Sequence, residues 1–281
     1  MSIKVKNVNY TYSEGTAYEM HALKNINLEI PDGQFVGLIG HTGSGKSTFA
    51  KHINALLTPT DGTLWVNGMD TKDEKHLWDI RQNAGMVFQN PDNQIIGTSV
   101  EEDVAFGPEN KNIEPEKIRK IVETVLRKVK LWDRRKALPS RLSGGQKQRL
   151  ATADALAGLP ACLVLDEPTA MLDPDSRKEV INIVKELNRK EGMTIILITH
   201  HTDEVVDADR IVLMKDGKII GDDIPKKIFA DYELLKKAKM DIPPVVELGM
   251  WLKKQKIGLD EPVLHEQEMI RKITELYRSK C

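Results

Sequence analysis

Apolar and polar residues alternate along the first third of the chain, which is the pattern of strands with one buried face. The alternation runs through IKVKNVNYTY, through NINLEI and later through TLWVNG. Between the last two, the unbroken apolar run FVGLIG predicts a strand that is buried on both faces. A glycine-rich loop separates this strand from a helix predicted over about 47–57, and AGMVFQ predicts a short strand ending at Gln89.

The pattern changes to a helical period after this strand. The segment PEKIRKIVETVLRKVKL is the clearest case, because its apolar residues recur at intervals of three and four. These residues are Ile118, Ile121, Val122, Val125 and Val129. No alternating segment interrupts this stretch, so the sequence predicts a helical subdomain inserted at about 91–147.

Strands and helices then follow each other in turn. CLVLDEP predicts a strand, PDSRKEVINIVKELNRK a helix, MTIILITH another strand, and RIVLMKDGKII a strand pair that turns at Asp216 and Gly217. Such alternation is typical of an α/β fold with a mostly parallel sheet and helices on both faces. The predicted fold class is therefore α/β, with antiparallel strands at the N-terminus.

The last part of the chain is helical and charged, which divides the sequence into a main domain at 1–230 and an extension at 231–281. An apolar stripe runs along its two predicted helices, through Val245, Leu248, Leu252, Met269, Ile273 and Tyr277. We expect this stripe to hold two copies of the domain together. The alternative is that it packs on its own domain.

Composition narrows the possible functions. The chain has 281 residues, with 41 basic and 42 acidic side chains, so no bulk positive charge attracts nucleic acid or anionic lipid. Its two cysteines form no metal or disulfide pattern, and Cys162 lies in an apolar strand. No apolar run approaches the roughly 20 residues of a membrane-spanning helix, and MSIKVKNVNY lacks the apolar segment of a signal peptide. Any membrane role is expected to act through a partner.

A phosphate-binding loop is predicted at GHTGSGKS, which matches G-x-x-x-x-G-K-[ST] and stands between an apolar strand and a helix. Glycines let successive backbone N–H groups point inward, and the helix N-terminus adds positive potential. Lys46 is expected to bind the β- and γ-phosphates of ATP, and the Ser47 hydroxyl to bind Mg²⁺. The residues expected to hold the nucleotide are Gly40, His41, Thr42, Gly43, Ser44, Gly45, Lys46, Ser47 and Thr48.

An acidic pair follows the strand CLVL. Asp166 is expected at the sheet edge beside the phosphate loop, where its carboxylate can hold Mg²⁺. Glu167, one residue further, is expected to be the catalytic base that deprotonates the attacking water. The alternative is a pair of surface acids at a strand end.

The segment RLSGGQKQR resembles the signature sequence of ABC-type ATPases, and it precedes LVLDEP, TAMLDP and ILITHH as in that family. The resemblance covers about residues 3–225. It implies a P-loop ABC ATPase domain that forms a head-to-tail dimer, with each ATP between one phosphate loop and the opposite signature loop. Ser143, Gly144, Gly145 and Gln146 would then contact the γ-phosphate that the partner chain binds.

The resemblance also implies roles for four further residues. Gln89 matches the glutamine that senses Mg²⁺ and the attacking water, and Asp173 matches the loop that communicates across the dimer. His200 matches the histidine that contacts the γ-phosphate, with His201 as the alternative. Tyr12 matches the aromatic residue that stacks on adenine, although a tyrosine packing on the sheet is the competing interpretation.

Asp154 departs from the family pattern. It stands where many relatives carry a small or basic residue, and pairing with Arg149 or with a neighbouring subunit are the two interpretations left open.

Within the ABC family, GHTGSGKST, VFQNPDNQI, VAFGPEN and MDIPPVVEL resemble the ATPases of energy-coupling factor transporters. This resemblance implies uptake of a vitamin or metal ion, a location at the cytoplasmic face of the membrane, and three partners: a second ATPase subunit, a membrane scaffold (T) subunit and a substrate-binding membrane (S) subunit. The acidic segment that follows Gln89, with Asp92, Glu101, Glu102 and Asp103, is expected to contact the scaffold. The alternatives are an ATPase of a conventional ABC importer and a non-transport ABC ATPase.

Overall fold

The computed structural model describes residues 1–255, 257 and 262–278, and two sheets organise this part of the chain. Its strands are β1 (Ile3–Tyr12), β2 (Met20–Ile30), β3 (Phe35–Ile39), β4 (Asp61–Val66), β5 (Met69–Asp70), β6 (Ala84–Val87), β7 (Cys162–Asp166), β8 (Thr194–Thr199), β9 (Arg210–Lys215) and β10 (Lys218–Asp223). Its helices are α1 (Lys46–Ile53), α2 (Leu77–Asn83), α3 (Val100–Asn110), α4 (Pro115–Lys128), α5 (Gly144–Ala157), α6 (Pro174–Glu191), α7 (Pro225–Ala230), α8 (Tyr232–Ala238), α9 (Pro244–Lys254) and α10 (Glu266–Arg278).

The smaller sheet is antiparallel, with the strand order β2-β1-β4-β5. Its alternating sequence explains its two faces: Ile3, Val5 and Val8 of β1 are buried, whereas Lys4 and Lys6 are exposed. The predicted N-terminal antiparallel strands are therefore confirmed.

The larger sheet has the strand order β10-β9-β3-β8-β7-β6. All neighbouring pairs from β9 to β6 are parallel, and only β10 runs antiparallel to its neighbour β9. Strands β3, β7 and β8 are buried at every position, as expected for strands covered on both faces. The α/β class with a mostly parallel sheet is confirmed.

Helices α3, α4 and α5 pack together beside the larger sheet. Helix α4 buries Ile118, Val122, Val125 and Leu126, which is the face that its apolar spacing predicts. Ser99 caps α3 by accepting a hydrogen bond from the backbone N–H of Glu102. The short helix α2 was not predicted, because its sequence LWDIRQN buries only Ile80 and shows no apolar period.

The C-terminal helices divide their apolar residues between two environments. Leu235 of α8 and Val246 of α9 join the core of the main domain, whereas Leu252 and Met269 bury each other with Val263 in a small separate cluster. The predicted stripe is therefore only partly available to a partner. Its exposed members are Leu248, Ile273 and Tyr277, with Trp251 and Ile270 beside them. Residues 256, 258–261 and 279–281 of the predicted extension lie outside the described part.

Candidate active site

The candidate site lies where four neighbouring parallel strands of the larger sheet end. The phosphate loop follows β3, His200 follows β8, Asp166 ends β7 with Glu167 behind it, and Gln89 follows β6. Because the carboxyl ends of parallel strands meet at one sheet edge, residues that are far apart in the sequence come together there.

Backbone contacts fix the shape of the phosphate loop. Gly43 and Gly45 have φ values of 81° and 102°, which side chains other than glycine rarely adopt. A Cβ at Gly45 would also lie 2.7 Å from the carbonyl oxygen of Ala22. From the other side, the N–H of Gly217 donates to the carbonyl of Ser44 at 3.1 Å. The loop is therefore held between β2 and the β9–β10 turn before α1 begins at Lys46.

Lys46 is almost fully buried, with 4% of its surface exposed. Its Nζ donates to the carbonyls of Gly40 at 2.7 Å and His41 at 3.1 Å, and it lies 3.8 Å from Oε1 of Glu167. Burial lowers the pKa of Lys46, while the charges of Glu167 and Asp166 raise it. The ammonium group thus stands at the centre of the loop with two carbonyls and a carboxylate around it.

Ser47 and Asp166 are in direct contact. The Ser47 hydroxyl donates to Oδ1 of Asp166 at 2.9 Å. Burial raises the pKa of Asp166, and the hydrogen bond from Ser47 acts against this shift. A hydroxyl and a buried carboxylate are therefore placed side by side, with little water to stabilise the negative charge.

Glu167 contacts the two other catalytic candidates, Gln89 and His200. Gln89 Nε2 donates to Oε2 of Glu167 at 3.1 Å, and His200 Nδ1 lies 3.5 Å from the same oxygen. Glu167 itself has a φ of 49° and donates its N–H to the carbonyl of Ile198 at 2.9 Å. The His201 ring lies 4.1 Å from the His200 ring. Of the two histidines, His200 is the one with the contact to Glu167.

An open cavity of about 450 Å³ lies over the loop. Of the residues predicted to bind nucleotide or catalyse, Thr42, Gly43, Gly45, Lys46, Ser47, Thr48, Gln89 and Glu167 line it. The sequence did not indicate its other lining residues, which are Met20, His21, Ala22, Lys24, Asp216 and Gly217. Of these residues, the sequence predicts a feature only at Asp216 and Gly217, which form the turn between two strands.

Tyr12 lies at the margin of this cavity. Its hydroxyl is 3.2 Å from Oγ1 of Thr48, and its ring meets Tyr10 edge to face at 4.8 Å. The ring is half-buried, so it both packs on the sheet and borders the site through Thr48.

The signature is exposed at Ser143 and Gly144, whereas Gly145 is buried. Ser143 caps α5, accepting from the N–H of Gln146, whose side chain accepts from the N–H of Ser143 in return. Asp173 caps α6 by accepting from the N–H groups of Asp175 and Ser176. The two helix starts touch, because a Cβ at Gly145 would lie 2.5 Å from Oγ of Ser176. None of the signature residues lines the cavity.

A buried glutamate that the sequence did not indicate supports the histidine turn. Glu204 accepts from the hydroxyls of Thr169 at 2.5 Å and Thr199 at 2.6 Å. Thr199 Oγ1 in turn accepts from the N–H of His201 at 3.0 Å. Glu204 therefore joins the loop after Glu167 to the turn that carries His200.

Fold and site together define a P-loop ATPase cassette of the ABC type, and the sequence profile of the ABC transporter family matches residues 23–170. A protein of Caldanaerobacter subterraneus named energy-coupling factor transporter ATP-binding protein EcfA1 is 57% identical over 95% of this chain and 97% of its own. An EcfA1 of Clostridium novyi is 51% identical over 98% of each chain. This chain belongs to the ABC transporter family and, within it, to the ATP-binding proteins of energy-coupling factor transporters.

Solved structures agree with this assignment. CbiO1 from Clostridium perfringens, described as part of the ABC transporter complex CbiONQ, superposes with a TM-score of 0.76 at 36% identity, over 89% of this chain and 98% of its own. A dimeric ATP-binding cassette in a post-hydrolysis state, bound to ADP and phosphate, gives a TM-score of 0.72 at 34% identity, over 79% of this chain and 98% of its own. The resemblance noted in the sequence is confirmed, and with it the activity of an ATP-binding and ATP-hydrolysing transporter subunit. No helix in the described residues is long and apolar enough to cross a membrane.

Proposed function

We propose that this chain binds ATP with Mg²⁺ at the sheet edge, hydrolyses it with Glu167 as general base, and passes the resulting movement to membrane subunits through its helical subdomain. The observation that carries the proposal is the meeting of four strand ends. It places a lysine, a hydroxyl, an amide and the Glu167 carboxylate around one open cavity, with the Asp166 carboxylate and the His200 imidazole next to them.

Magnesium fits the residues that are present. Mg²⁺ prefers oxygen ligands and keeps several waters. The Ser47 hydroxyl lines the cavity, and Oδ1 of Asp166 lies 2.9 Å behind it. Gln89 commits its Nε2 to Glu167, which leaves its carbonyl oxygen for the metal or its water. The ion would neutralise phosphate charge, and it would stabilise the ionised form of the buried Asp166.

The chain's own residues supply the remaining chemistry. Lys46 would exchange its two carbonyl partners for phosphate oxygens, a stronger pairing because both groups are charged. Glu167 would accept a proton from the attacking water, with Gln89 and His200 holding its side chain in place. Glu204 would act through Thr199 and the backbone of His201, keeping His200 directed at the site.

The exposed signature supports an ATP sandwich between two chains. Ser143 and Gly144 are exposed at the start of α5, where backbone N–H groups favour an anion. In the proposed pair they would bind the γ-phosphate that rests on the partner's phosphate loop. The exposed C-terminal residues Leu248, Ile273 and Tyr277 would add contact area that does not depend on nucleotide.

Membrane partners are proposed to dock in a groove of about 1040 Å³ between α3 and α4. Acidic side chains dominate its polar lining, namely Glu101, Glu102, Glu109, Glu114 and Glu123. The set of acids that the sequence predicts to contact the scaffold changes in two respects. Asp103 is buried, and Asp92 is paired with Lys147 at 2.7 Å. The groove would accept basic side chains of a scaffold (T) subunit, which carries a substrate-binding (S) subunit for uptake of a vitamin or metal ion.

In this proposal the chain would work at the cytoplasmic face of the membrane as a peripheral subunit, paired with a second ATPase. The names of its relatives favour the EcfA1 member of such a pair.

The test is assembly and transport by a groove variant. Changing Glu101, Glu102 and Glu109 to glutamine should weaken co-purification with the membrane subunits and slow ATP-driven uptake, while ATPase activity of the isolated subunit stays near the wild-type rate. A matched control changes three exposed acids outside the groove, Glu74, Glu233 and Glu275, to glutamine. Normal assembly and uptake by the groove variant would exclude docking at this surface.

A further inference from the structure

Two carboxyl groups face each other between helices α3 and α5. Asp103 of α3 is 3% exposed, and its Oδ1 accepts from the N–H groups of Ile96 at 2.8 Å and Gly97 at 2.6 Å. Helix α3 packs on α5, which carries Asp154, and the charge of Asp103 acts on the Asp154 carboxyl group. Within the described residues, Oδ2 of Asp103 and both oxygens of Asp154 are shielded from solvent and receive no hydrogen bond.

The backbone at Asp103 is closely packed. Gly97 packs directly on Asp103, since a Cβ at Gly97 would lie 2.5 Å from the backbone nitrogen of Asp103. A buried oxygen without a hydrogen-bond partner is unfavourable, and more so if it is charged. A proton between the two side chains relieves two of the three oxygens, because one oxygen of Asp154 becomes a donor and Oδ2 of Asp103 accepts from it.

Cations near Asp154 along α5 are engaged elsewhere. Arg149, one of the two partners that the sequence left open for Asp154, pairs with Glu179 of α6 at 3.2 Å. Lys147 pairs with Asp92 at 2.7 Å.

Among the described residues, the neighbours Lys111 and α4 offer the acid pair no free buried cation. Lys111, which follows α3, donates to the carbonyl of Gly158 at 2.6 Å. The buried residues of α4 are all apolar: Ile118, Val122, Val125 and Leu126. Burial, followed by the neighbouring Asp103, raises the pKa of Asp154 well above its usual value.

We infer that Asp103 and Asp154 share one proton at neutral pH, with the Asp154 O–H donating to Oδ2 of Asp103. The shared proton completes the hydrogen bonds of Asp103, whose Oδ1 already holds the Ile96–Gly97 turn. Asp154 is therefore a positioning residue: it acts through Asp103 on the segment that follows Gln89.

The acid pair joins the two surfaces through which the protein is proposed to act. Helix α3 borders the docking groove, and α5 begins directly after its capping residue, the signature residue Ser143. The shared proton would add a buried hydrogen bond to the apolar contacts between the two helices, so that a movement of one helix is passed to the other. This consequence rests on the proposed docking and signature roles, whereas the proton itself does not.

Infrared spectroscopy of the full-length protein tests the proton directly. At pH 7 the wild type should show the carbonyl stretch of a protonated carboxylic acid, shifted in D₂O, and the band should disappear in Asp154→Asn. If the wild type shows no such band, the shared proton is excluded whatever the fate of the docking proposal.

The pH dependence of thermal unfolding gives an independent test. Asp154→Asn keeps an N–H donor for Asp103 but cannot titrate, whereas Asp154→Leu removes the donor. The carboxyl group stays protonated in the folded state, but in the unfolded state it ionises above a pKa of about 4. The folded protein therefore loses stability as pH rises above that value. The wild-type Tm should therefore fall by about 3 °C per pH unit relative to Asp154→Asn between pH 5 and 7.

Two controls separate the proton from other causes. Glu109→Gln, at an exposed carboxylate of α3, should leave the pH slope of the wild type unchanged. Asp154→Leu should be less stable than Asp154→Asn at every pH, because it leaves Asp103 without a donor. Parallel Tm curves for wild type and Asp154→Asn would overturn the inference. So would a Tm that follows the concentration of Na⁺ or Mg²⁺ instead of pH, since a cation would then hold the pair together.

Discussion

The phosphate edge of the larger sheet and the signature end of α5 both carry polar residues. The phosphate edge buries them with partners from the same chain, whereas the signature end exposes them to solvent. At the phosphate edge, Lys46 and Asp166 are buried, 4% and 6% exposed, and are joined to Glu167 and Ser47 within one chain. At the signature, Ser143 and Gly144 are exposed, and the Ser143 side chain bonds only to its own helix.

The difference shows which part of the site one chain can build alone. Burying charges is unfavourable unless partners are preorganised around them, and four strand ends provide those partners at the phosphate edge. A helix N-terminus at the surface binds an anion only when one is brought to it. In the sandwich proposed above, one chain supplies a nearly complete phosphate-loop half-site, and its signature half would require the nucleotide of another chain.

Glu167→Gln should have the largest effect. It tests the phosphate edge, where one chain supplies the interacting groups. The amide keeps the shape of the side chain but cannot accept a proton, so turnover should fall by about 10²–10⁴-fold. ATP affinity, measured by direct titration, should stay close to the wild-type value. Turnover near the wild-type rate, with binding intact, would remove Glu167 from the role of base.

Ser143→Arg tests the signature, which is proposed to contact the nucleotide of the partner chain. The bulky cation would occupy the place of the opposite γ-phosphate, so turnover should fall by about 10²–10³-fold, as for loss of a transition-state donor. ATP binding at the variant's own phosphate loop should persist in titrations. Mixed pairs that still trap ATP at both sites would show that the signature does not face the partner's nucleotide.

Tyr12→Ala should have the smallest effect and tests the margin of the cavity. Stacking of a base on an aromatic ring contributes roughly 1–3 kcal/mol, so ATP should bind about 10–100-fold more weakly. Tyr12→Phe is the matched control, because it keeps the ring and removes only the contact with Thr48. Equal ATP affinity in the wild type and in Tyr12→Ala would mean that the ring serves packing against Tyr10 alone.

Continuous motifs made much of this molecule predictable. The strand, loop and helix around Lys46 follow each other directly, so local sequence was sufficient to predict the α/β fold and the phosphate loop. The comparisons confirm that fold class and the transporter subgroup. The roles of the individual residues stay predictions, although the structure brings Gln89, Glu167 and His200 into contact.

The features that the sequence did not reveal depend on which way a side chain faces. Asp103 was grouped with the exposed acids, yet it stands three residues after Val100 and one before Val104, on the buried face of α3. A helical period applied to that segment would have turned it inward. Asp154 and Glu204 gave no comparable signal: α5 is buried around most of its circumference, and the partners of Glu204 come from other elements.

The strand order also sets when a nascent chain can first hold nucleotide. Strand β3 carries the phosphate loop, but both of its neighbours, β8 and β9, lie more than half the chain further on. Until Thr194–Thr199 has left the ribosome, β3 has no partner in its sheet and β7 has only β6. At a synthesis rate of about 5–20 residues per second, the phosphate loop lacks for many seconds the neighbouring strands that support it. ATP therefore cannot assist the early steps of folding, and it can stabilise only a chain whose central strand is already in place.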